Sequence, residues 1–320
     1  MDPIQLAAST LRLAVPLIFA TMAGLYAERS GLVDIGLEGK MLSGAFAGAA
    51  VASLSGSAWV GLIAAILAGG IVGLAQGVAS IAFRGNQLVI GLAINIIASG
   101  LTAFLGIAWF QRGGQTPQLI EGQRFEAIHL PLSAEIAQVP VVGPLYATVI
   151  GGQTILGYAA IASIAITWLV IYRTRFGLRL VAAGDKPEAV ESAGVSVFRL
   201  RYCAIFICGC LCGMAGAYLS IVQGGAFYRD MSAGQGYMAL AALIFGGWKP
   251  GRAALACMLF AGADAVQGRL QGVPIFGQFE VPTQVVQAIP YLLTLILLAG
   301  LVGRSHGPAA AGRPYVRGQR

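Results

Sequence analysis

Long apolar runs, separated by short polar segments, set the pattern of this sequence. Uncharged stretches occupy residues 41–83, 85–111, 153–172, 202–228 and 281–303. Each is long enough for at least one membrane crossing, which takes roughly 20 apolar residues. Inside a bilayer every backbone amide must find its hydrogen-bond partner within the protein, and helices meet that demand. The pattern therefore predicts an all-α polytopic membrane protein.

Seven crossings can be drawn on this pattern. They occupy residues 4–26, 41–54, 59–83, 86–110, 153–172, 202–222 and 285–303. Between residues 237 and 267, two shorter apolar pieces flank the polar "KPGR", which indicates a broken or re-entrant pair. We therefore expect about 8 to 10 transmembrane or re-entrant helices in one membrane domain, residues 1–303, followed by a basic tail, residues 304–320.

Two parts of the chain show a weak internal sequence similarity. "GKMLSGAFAGA" from Gly39 and "GYMALAALIFGG" from Gly236 share a Gly, a Met two residues later and a stripe of small residues. Many transporters are built from such repeats, with the substrate path at the interface between them. Chance similarity between helices rich in Gly and Ala is the alternative explanation.

Composition agrees with a membrane protein. Charged residues make up only 10% of the chain, whereas they make up about a quarter of a soluble domain. Many of the 45 glycines fall at small-xxx-small spacings, as in "LAGGIVGLAQGVAS", the usual packing surface between membrane helices. The net charge of +7 does not indicate a nucleic-acid-binding protein, because no soluble domain remains to present a basic face.

Basic residues collect in an island at residues 172–202, which holds nine of the chain's 33 charged residues, and in the tail. The basic residues are Arg173, Arg175, Arg179, Lys186, Arg199 and Arg201 in the island, and Arg304, Arg313, Arg317 and Arg320 in the tail. Both regions are expected to be cytoplasmic. Residues 111–152 carry two arginines and form the predicted extracytoplasmic loop. Counting back five crossings places the amino terminus outside, and one undetected crossing would reverse that orientation.

The island contains the pattern of a short helix, "DKPEAVESAG". Asp185 can cap the first amides, Pro187 falls in the first turn, and Glu188 completes a capping box three residues after Asp185. Gly194 then supplies a left-handed stop. About two turns are marginal alone, so this helix should dock against something. A solvated loop that only anchors the topology is the alternative.

Acidic residues cluster just after the first crossing, where Glu28, Asp34 and Glu38 fall within eleven residues among several glycines. This pattern predicts a broken helix, whose exposed backbone is tolerated only where it lines a cavity or is covered by protein. Charged groups at membrane depth are candidates for a substrate path. A buried pair of Glu28 and Arg29 that fixes the bend is the alternative for Glu28.

Amide side chains give two further candidates for the path. Asn95 lies in the middle of the fourth predicted crossing, and Gln235 precedes the broken pair. Each could bind a polar solute or join two helices by hydrogen bonds. Gln223 and Asp264 raise the same alternatives.

No catalytic or metal site is expected from the sequence. The two histidines, His129 and His306, lie without a nucleophile or a metal-ligating set around them. The five cysteines, at 203, 208, 210, 212 and 257, are expected to be small packing residues, because the "CGCLC" run lies in an apolar span with no His or carboxylate nearby.

Five further segments are distinctive when taken together: "ERSGLVDIGLEGKMLSGAFAGA", "GLAINIIASG", "GLRLVAAGDKPEAVESAGV", "ALIFGGWKPGRAALACMLFAG" and "QAIPYLLTLILL". Together they resemble those of a known family, the permease subunits of bacterial ATP-binding cassette importers for nucleosides and simple sugars. The resemblance implies that the island's helix couples to an ATPase subunit. The matching positions for coupling are Asp185, Lys186, Pro187, Glu188, Ala189 and Gly194.

The resemblance also implies partners and a location. We expect a separate ATP-binding subunit that holds ATP and Mg²⁺, a second permease subunit, an extracytoplasmic solute-binding protein, and a multi-pass position in the bacterial cytoplasmic membrane. The chain has no phosphate-binding G-x-x-x-x-G-K-[ST] loop and is expected to bind no cofactor itself. It departs from the family pattern at Asp34 and Lys40, where Asn and Met are more usual.

Nucleosides are the favoured solutes, because "ERSGLVDIGLEG" and "PYLLTL" look more like the nucleoside permeases than the ribose permeases of the branch. Ribose or another simple sugar is the first alternative. An ion-coupled secondary carrier is a second alternative. Such a carrier would be expected to place carboxylates or histidines in its long central spans, and the long central spans of this chain contain none. A purely structural membrane scaffold would leave the capped cytoplasmic helix without a purpose.

Overall fold

The computed structural model describes residues 3–128, 151–270 and 307–316, together with residues 274–276, 279–280 and 292. The predicted crossing at 285–303 lies outside these residues except for position 292. Most of the predicted extracytoplasmic loop beyond residue 128, both histidines, and the tail residues Arg304, Arg317 and Arg320 also lie outside them.

Helices make up nearly all of the regular structure in the described residues. The helices are α1 (Pro3–Arg29), α2 (Leu37–Ser55), α3 (Ala58–Gly77), α4 (Gln87–Phe110), α5 (Ile155–Arg173), α6 (Arg175–Asp185), α7 (Pro187–Ser192), α8 (Val197–Ala217), α9 (Gln235–Phe245) and α10 (Pro250–Leu270). Short π-helical turns continue α3 over Val78–Ala82 and α8 over Tyr218–Gly224. Two short antiparallel strands, β1 (Pro274–Phe276) and β2 (Phe279–Glu280), follow α10. The prediction of an all-α polytopic membrane protein is confirmed, with this small hairpin as an addition.

Five helical segments in the described part of the chain are long and apolar enough to span a membrane. They are Pro3–Arg29, Ala58–Ala82, Gln87–Phe110, Ile155–Arg173 and Val197–Gly224. Each coincides with a predicted crossing to within a few residues. The helix α2 covers the predicted crossing at 41–54 but begins earlier, at Leu37, so it takes Glu38 and Lys40 into its first turn.

The predicted broken pair is formed by two helices of unequal length. The helix α9 has 11 residues, about 16 Å at 1.5 Å per residue and thus roughly half the thickness of a bilayer core. The helix α10 has 21 residues and is longer than the short apolar piece predicted there. The turn between them contains Trp248, at φ 53°, and ends at Pro250, the first residue of α10.

Small residues hold the centre of the bundle together. The helix α8 packs against α2 and α3, and Gly209 and Gly213 of α8 meet Gly69 of α3 so closely that a side chain at any of these positions would collide with backbone. A Cβ at Gly44 of α2 would lie 2.6 Å from Cα of Gly213. On the same helix Cys208 and Cys212 are fully buried. The small-xxx-small spacings thus mark the closest helix contacts.

The two ends of the helix bundle differ in the segments that lie there. The first turns of α1, at Gln5, Ser9 and Arg12, line a cavity of about 990 Å³ together with Glu121 and Arg124. Beyond the other end of α1, a Cβ at Gly31 would lie 3.4 Å from Cα of Gly184 in α6. We call the end that carries α6 and α7 the coupling end, and the end that carries residues 111–128 the loop end. The start of α1 therefore lies opposite the charged island, as the count of five crossings predicts.

Candidate functional site

The charged island folds into two helices, of which the sequence predicted only the second. The first, α6, begins at Thr174, whose hydroxyl accepts a hydrogen bond from the amide of Gly177 at 3.1 Å. Its apolar residues Leu180 and Ala183 are fully buried in a cluster with Val190 of α7. The second helix, α7, contains six residues. Both helices therefore pack against the membrane bundle.

The predicted capping box of α7 is wrong. Asp185 is the last residue of α6, Lys186 occupies the N-cap position of α7 with no side-chain capping bond, and the Asp185 carboxylate accepts a hydrogen bond from the amide of Ala309 at 3.4 Å. The capping prediction did not allow for a helix that ends just before the cap position. Two other parts of the pattern are confirmed: Pro187 lies in the first turn and Gly194 adopts φ 79°.

The helix α7 packs against the bundle on one side, its buried base, and exposes charged side chains on the other side. Pro187 and Val190 are buried, whereas Lys186, Glu188 and Ala189 are exposed. The base keeps the helix in place, and the outward face is open to a macromolecule. Five of the six residues predicted to couple to an ATPase are exposed here, Asp185, Lys186, Glu188, Ala189 and Gly194, whereas Pro187 belongs to the buried base.

The polypeptide between α1 and α2 is a non-helical bend, residues 30–36. Gly31 turns the chain with φ 87°, a conformation that favours glycine, and residues 32–35 have no regular secondary structure. The amide of Val33 donates a hydrogen bond to Oε1 of Gln87, the first residue of α4, at 2.7 Å. The broken helix predicted from the acidic and glycine-rich pattern is present here.

A buried ion pair fixes this bend to the bundle. Asp34 and Lys40 are both fully buried and pair with each other. The Asp34 carboxylate also accepts hydrogen bonds from Nε2 of Gln76 at 2.9 Å, the amide of Gly36 at 3.0 Å and Sγ of Cys208 at 3.1 Å. The two residues that depart from the family pattern therefore satisfy each other, and they tie the bend to α3 and α8.

Glu28 and Arg29 both bind the turn that precedes α10. The Glu28 carboxylate accepts a hydrogen bond from the indole nitrogen of Trp248, and Nη2 of Arg29 donates to the backbone oxygen of Trp248 at 2.8 Å. These contacts lie at the coupling end, and Glu28 is only 6% exposed. Neither Glu28 nor Asp34 lines the cavity that contains Glu38 and Asn95.

That cavity lies between α2, α4 and the start of α9 and has a volume of about 300 Å³. Its lining residues are Glu38, Leu42, Leu92, Asn95, Ile96, Ser99, Asp230, Ser232 and Tyr237. The volume falls at the small end of ligand pockets, roughly 300 to 1,000 Å³. We call it the α2–α4–α9 cavity. It brings together Glu38 and Asn95, two of the five residues predicted for a substrate path.

Asn95 connects the cavity to the bend. Its side-chain oxygen accepts a hydrogen bond from the amide of Gly39 at 2.8 Å, and its amide nitrogen donates to the oxygen of Ile35 at 3.0 Å and to the Tyr237 hydroxyl at 2.8 Å. One side chain therefore joins the end of the bend, the start of α2 and the start of α9. Movement of the bend would be transmitted to the cavity wall.

Glu38 joins the starts of two helices. Its carboxylate accepts hydrogen bonds from the amides of Gly234 at 2.8 Å and Gly236 at 2.6 Å, so it satisfies free amides at the start of α9. A Cβ at Gly236 would lie 2.5 Å from the amide nitrogen of Glu38. The two segments with internal sequence similarity thus meet at their first residues.

From this meeting point α2 and α9 run in opposite directions. The amide of Ala58, shortly after α2, binds the oxygen of Gly122 at the loop end at 3.1 Å. The helix α9 ends near Trp248, which binds Glu28 and Arg29 at the coupling end. Helices that start at one point and run in opposite directions are the arrangement found at substrate sites in transporters with internal repeats.

Gln235, the fifth predicted path residue, is the first residue of α9 but is not part of the cavity lining. Its Oε1 is buried, and no hydrogen-bond partner for it is found among the described residues. Its chain neighbours Gly234 and Gly236 bind Glu38 of the cavity wall, so Gln235 lies close to the cavity.

The sequence analysis missed the other seven lining residues, of which Ser99, Asp230 and Tyr237 offer the most to a solute. Oγ of Ser99 donates a hydrogen bond to Oδ1 of Asp230 at 2.6 Å, and the Tyr237 ring completes the wall. Asp230 adopts φ 52°, within the polar segment "YRDMSAGQG" that follows the predicted crossing at 202–222. That interruption of two apolar runs was the available signal.

The cavity combines apolar side chains, an aromatic ring, two carboxylates and an amide. Such a wall suits an uncharged solute with one flat apolar face and several hydroxyl or amide groups. Within residues 3–128, 151–270 and 307–316, no group of three His, Cys, Asp or Glu side chains is arranged to hold a metal ion.

The sequence is similar to known transport proteins over nearly its whole length. Residues 6–298 match the family described as the permease component of the branched-chain amino acid transport system. The chain is 34% identical to the guanosine ABC transporter permease protein NupQ of Bacillus subtilis, over 100% of both chains. It is 33% identical to the nucleoside ABC transporter permease protein NupC of Lactococcus lactis, over 97% of this chain and 96% of the relative.

A third relative has a different solute in its name. The chain is 30% identical to the putative glucose ABC transporter permease protein TsgC13 of Haloferax volcanii, over 97% of this chain and 96% of the relative. No solved structure is significantly similar to the chain.

Proposed function

This chain belongs to the family of permease components of the branched-chain amino acid transport system, and we propose that it is the membrane-spanning subunit of an ATP-driven importer of nucleosides. The observation that carries the proposal is the α2–α4–α9 cavity, which is lined by an aromatic ring and by polar groups at the point where the starts of α2 and α9 meet. The guanosine and nucleoside permeases among its relatives support the choice of solute.

In this proposal the cavity is a station on the solute path. The Tyr237 ring stacks on the nucleobase, while the Asp230 carboxylate and the Ser99 hydroxyl bind the ribose hydroxyls. Tyr237 is 43% exposed and Ile96 66% exposed on the single chain. A second permease subunit, identical or different, closes this open side and forms the other wall of the path.

The partners supply energy and solute. A separate ATPase subunit binds ATP and Mg²⁺, docks on the exposed face of α7 and drives alternating access. An extracytoplasmic binding protein delivers the solute at the loop end, where Arg12, Glu121 and Arg124 line the large cavity. This chain hydrolyses no ATP itself and holds no cofactor. Its place is the bacterial cytoplasmic membrane, which it crosses several times.

Uptake into vesicles tests the choice of solute. The vesicles contain this chain, its ATPase, its sister permease and its binding protein. We expect ATP-dependent uptake of a labelled purine nucleoside that excess unlabelled ribose does not reduce. ATP-dependent uptake of labelled ribose or glucose without nucleoside uptake would replace nucleosides by simple sugars, a second candidate that the Haloferax relative favours.

Substitution of Tyr237 tests the role of the cavity. We expect Tyr237→Ala to lower nucleoside uptake at saturating binding protein about fivefold or more, since stacking of a base on an aromatic ring contributes roughly 1–3 kcal/mol. Tyr237→Phe keeps the ring but loses the hydrogen bond from Asn95, so it should lower uptake less than Tyr237→Ala does. Tyr228→Ala is the matched control, because Tyr228 is an exposed tyrosine of the loop that precedes α9 and is not part of the cavity lining. Equal uptake by Tyr237→Ala and Tyr228→Ala would remove the cavity from the path.

A further inference from the structure

The carboxy-terminal segment of residues 307–316, which the sequence presented only as part of a basic tail, lies across the coupling end. The amide of Ala310 donates a hydrogen bond to the oxygen of Gly184 in α6 at 2.9 Å. Two residues later, the amide of Gly312 donates to the oxygen of Gly31 in the bend at 3.2 Å. The segment therefore binds the backbones of two elements that are far apart in the sequence.

Tyr315 anchors this segment to α7 and α8. Its hydroxyl donates a hydrogen bond to the Glu191 carboxylate of α7, and its ring lies 5.6 Å from the ring of Phe198. Tyr315 is 7% exposed and belongs to the same hydrophobic cluster as Val190 and Leu200. An aromatic side chain buried in this way holds the segment firmly on the coupling end.

Arg201 at the base of α8 connects the same elements a second time. Its Nε donates to the oxygen of Ser30 in the bend at 3.2 Å, and its Nη1 donates to the oxygen of Arg313 at 3.5 Å. The guanidinium also lies 6.0 Å from the Tyr315 ring, within range of a cation–π contact. Arg201 is 2% exposed, so these contacts lie within the protein interior.

The segment binds the backbone of the bend, and the bend leads directly to the α2–α4–α9 cavity. Residues 30–36 run from the coupling end to the start of α2, and the oxygen of Ile35 accepts the hydrogen bond from Asn95 in the cavity wall. The segment also lies beside the exposed face of α7, because Ala309, Ala310 and residues 313–316 line one cleft of about 260 Å³ together with Lys186 and Glu188. A partner docked on α7 would thus touch the segment as well.

We propose that residues 307–316 form a strap that transmits movement of α7 to the bend and so to the cavity, with Tyr315 as the positioning residue that fastens the strap. The inference rests on the proposed function, since it assigns the strap to the coupling of ATP hydrolysis to transport. Without the Tyr315 anchor, α7 follows the ATPase while the bend lags behind. Hydrolysis then continues with less solute moved for each ATP.

The test measures ATP hydrolysis and nucleoside uptake in the same vesicles of the complete transporter. We expect Tyr315→Ala to raise the number of ATP molecules hydrolysed per solute about fivefold or more, the lower range of allosteric coupling. Tyr315→Phe loses the bond to Glu191 but keeps the ring, and it should raise the ratio by a smaller factor. Tyr172→Ala is the matched control, because Tyr172 is an exposed tyrosine at the same end of the bundle, in contact with Trp168.

A tyrosine that only stabilised the fold would lower hydrolysis and uptake in proportion and leave the ratio at the wild-type value, as would a tail without a role. Either result overturns the proposal. If Tyr315→Ala does not assemble, the ratio for Tyr315→Phe decides. Failure of the proposed function is seen separately, as a wild-type transporter that takes up no nucleoside with ATP. A changed ratio for another ATP-driven solute would still support the strap.

Discussion

Lys40→Met is expected to destabilise the protein severely, by roughly 3–5 kcal/mol, the cost of leaving one partner of a buried ion pair without the other. Lys40 and Asp34 are both fully buried, and the remaining contacts of the Asp34 carboxylate come from neutral donors at Gly36, Gln76 and Cys208. A carboxylate in this position would be an uncompensated charge within the bundle. The measurement is thermal unfolding of the detergent-purified chain, together with the yield of monodisperse protein.

The double variant Asp34→Asn/Lys40→Met separates charge pairing from packing. Asn can keep an oxygen acceptor for Gly36 and Gln76, and Met has a length similar to that of Lys, so most of the lost stability should return. Arg229→Met is the matched control, because Arg229 pairs with Asp230 at 3.5 Å with its side chain 69% exposed. That exposed pair contributes less than about 1 kcal/mol. A double variant as unstable as Lys40→Met would refute the charge-pairing account.

Glu188→Lys is expected to lower ATP-dependent uptake about tenfold or more, which corresponds to about 1.4 kcal/mol or more of lost coupling. Glu188 lies on the exposed face of α7, the proposed ATPase docking surface, while Pro187 and Val190 hold the helix from behind. Reversing the charge there disturbs the interface without touching the buried base. Co-purification of the ATPase with this chain should fall together with uptake.

Two further variants sharpen this test. Glu188→Gln keeps the shape of the side chain and should have an intermediate effect. Arg252→Glu also reverses a charge, in the opposite direction, on an exposed residue of α10 outside α7. It should leave uptake within about twofold of wild type. Full uptake and full ATPase binding by Glu188→Lys would show that α7 is not the docking element.

The membrane crossings could be predicted from the sequence because their signal is local. The apolar runs located α3, α4, α5 and α8 to within a few residues, since each helix satisfies its own backbone within one segment. Pro187 and Gly194 likewise marked the first turn and the left-handed stop of α7, because their conformations depend on the residue itself.

Features that depend on contacts between distant segments were not predictable in the same way. The helix α6 lies inside a charged stretch, and its apolar face is explained only by burial of Leu180 and Ala183 against the bundle. Asp185 was assigned to a cap because the pattern fits, whereas the structure gives its carboxylate to Ala309, more than a hundred residues later. Sequence order alone does not show such competition between partners.

The candidate path was predicted only in part for the same reason. Glu38 and Asn95 line the cavity, but Glu28 and Asp34 form contacts with Trp248 and Lys40 that hold the bend in place. An acidic residue at membrane depth indicates a functional or a paired group equally well, and only its neighbours distinguish the two. Asp230 and Ser99 meet across 131 positions of the sequence, so no local pattern joins them.

The central claim, that ATP hydrolysis in a partner drives nucleoside movement through this chain, is tested most directly by the energy source of uptake. Vesicles with the complete transporter are loaded with ATP, with a non-hydrolysable ATP analogue or with neither, and labelled guanosine uptake is followed with and without an ionophore that dissipates ion gradients. The account predicts uptake only with hydrolysable ATP, unaffected by the ionophore. Uptake that needs no ATP and disappears with the ionophore would contradict it and would identify an ion-coupled carrier.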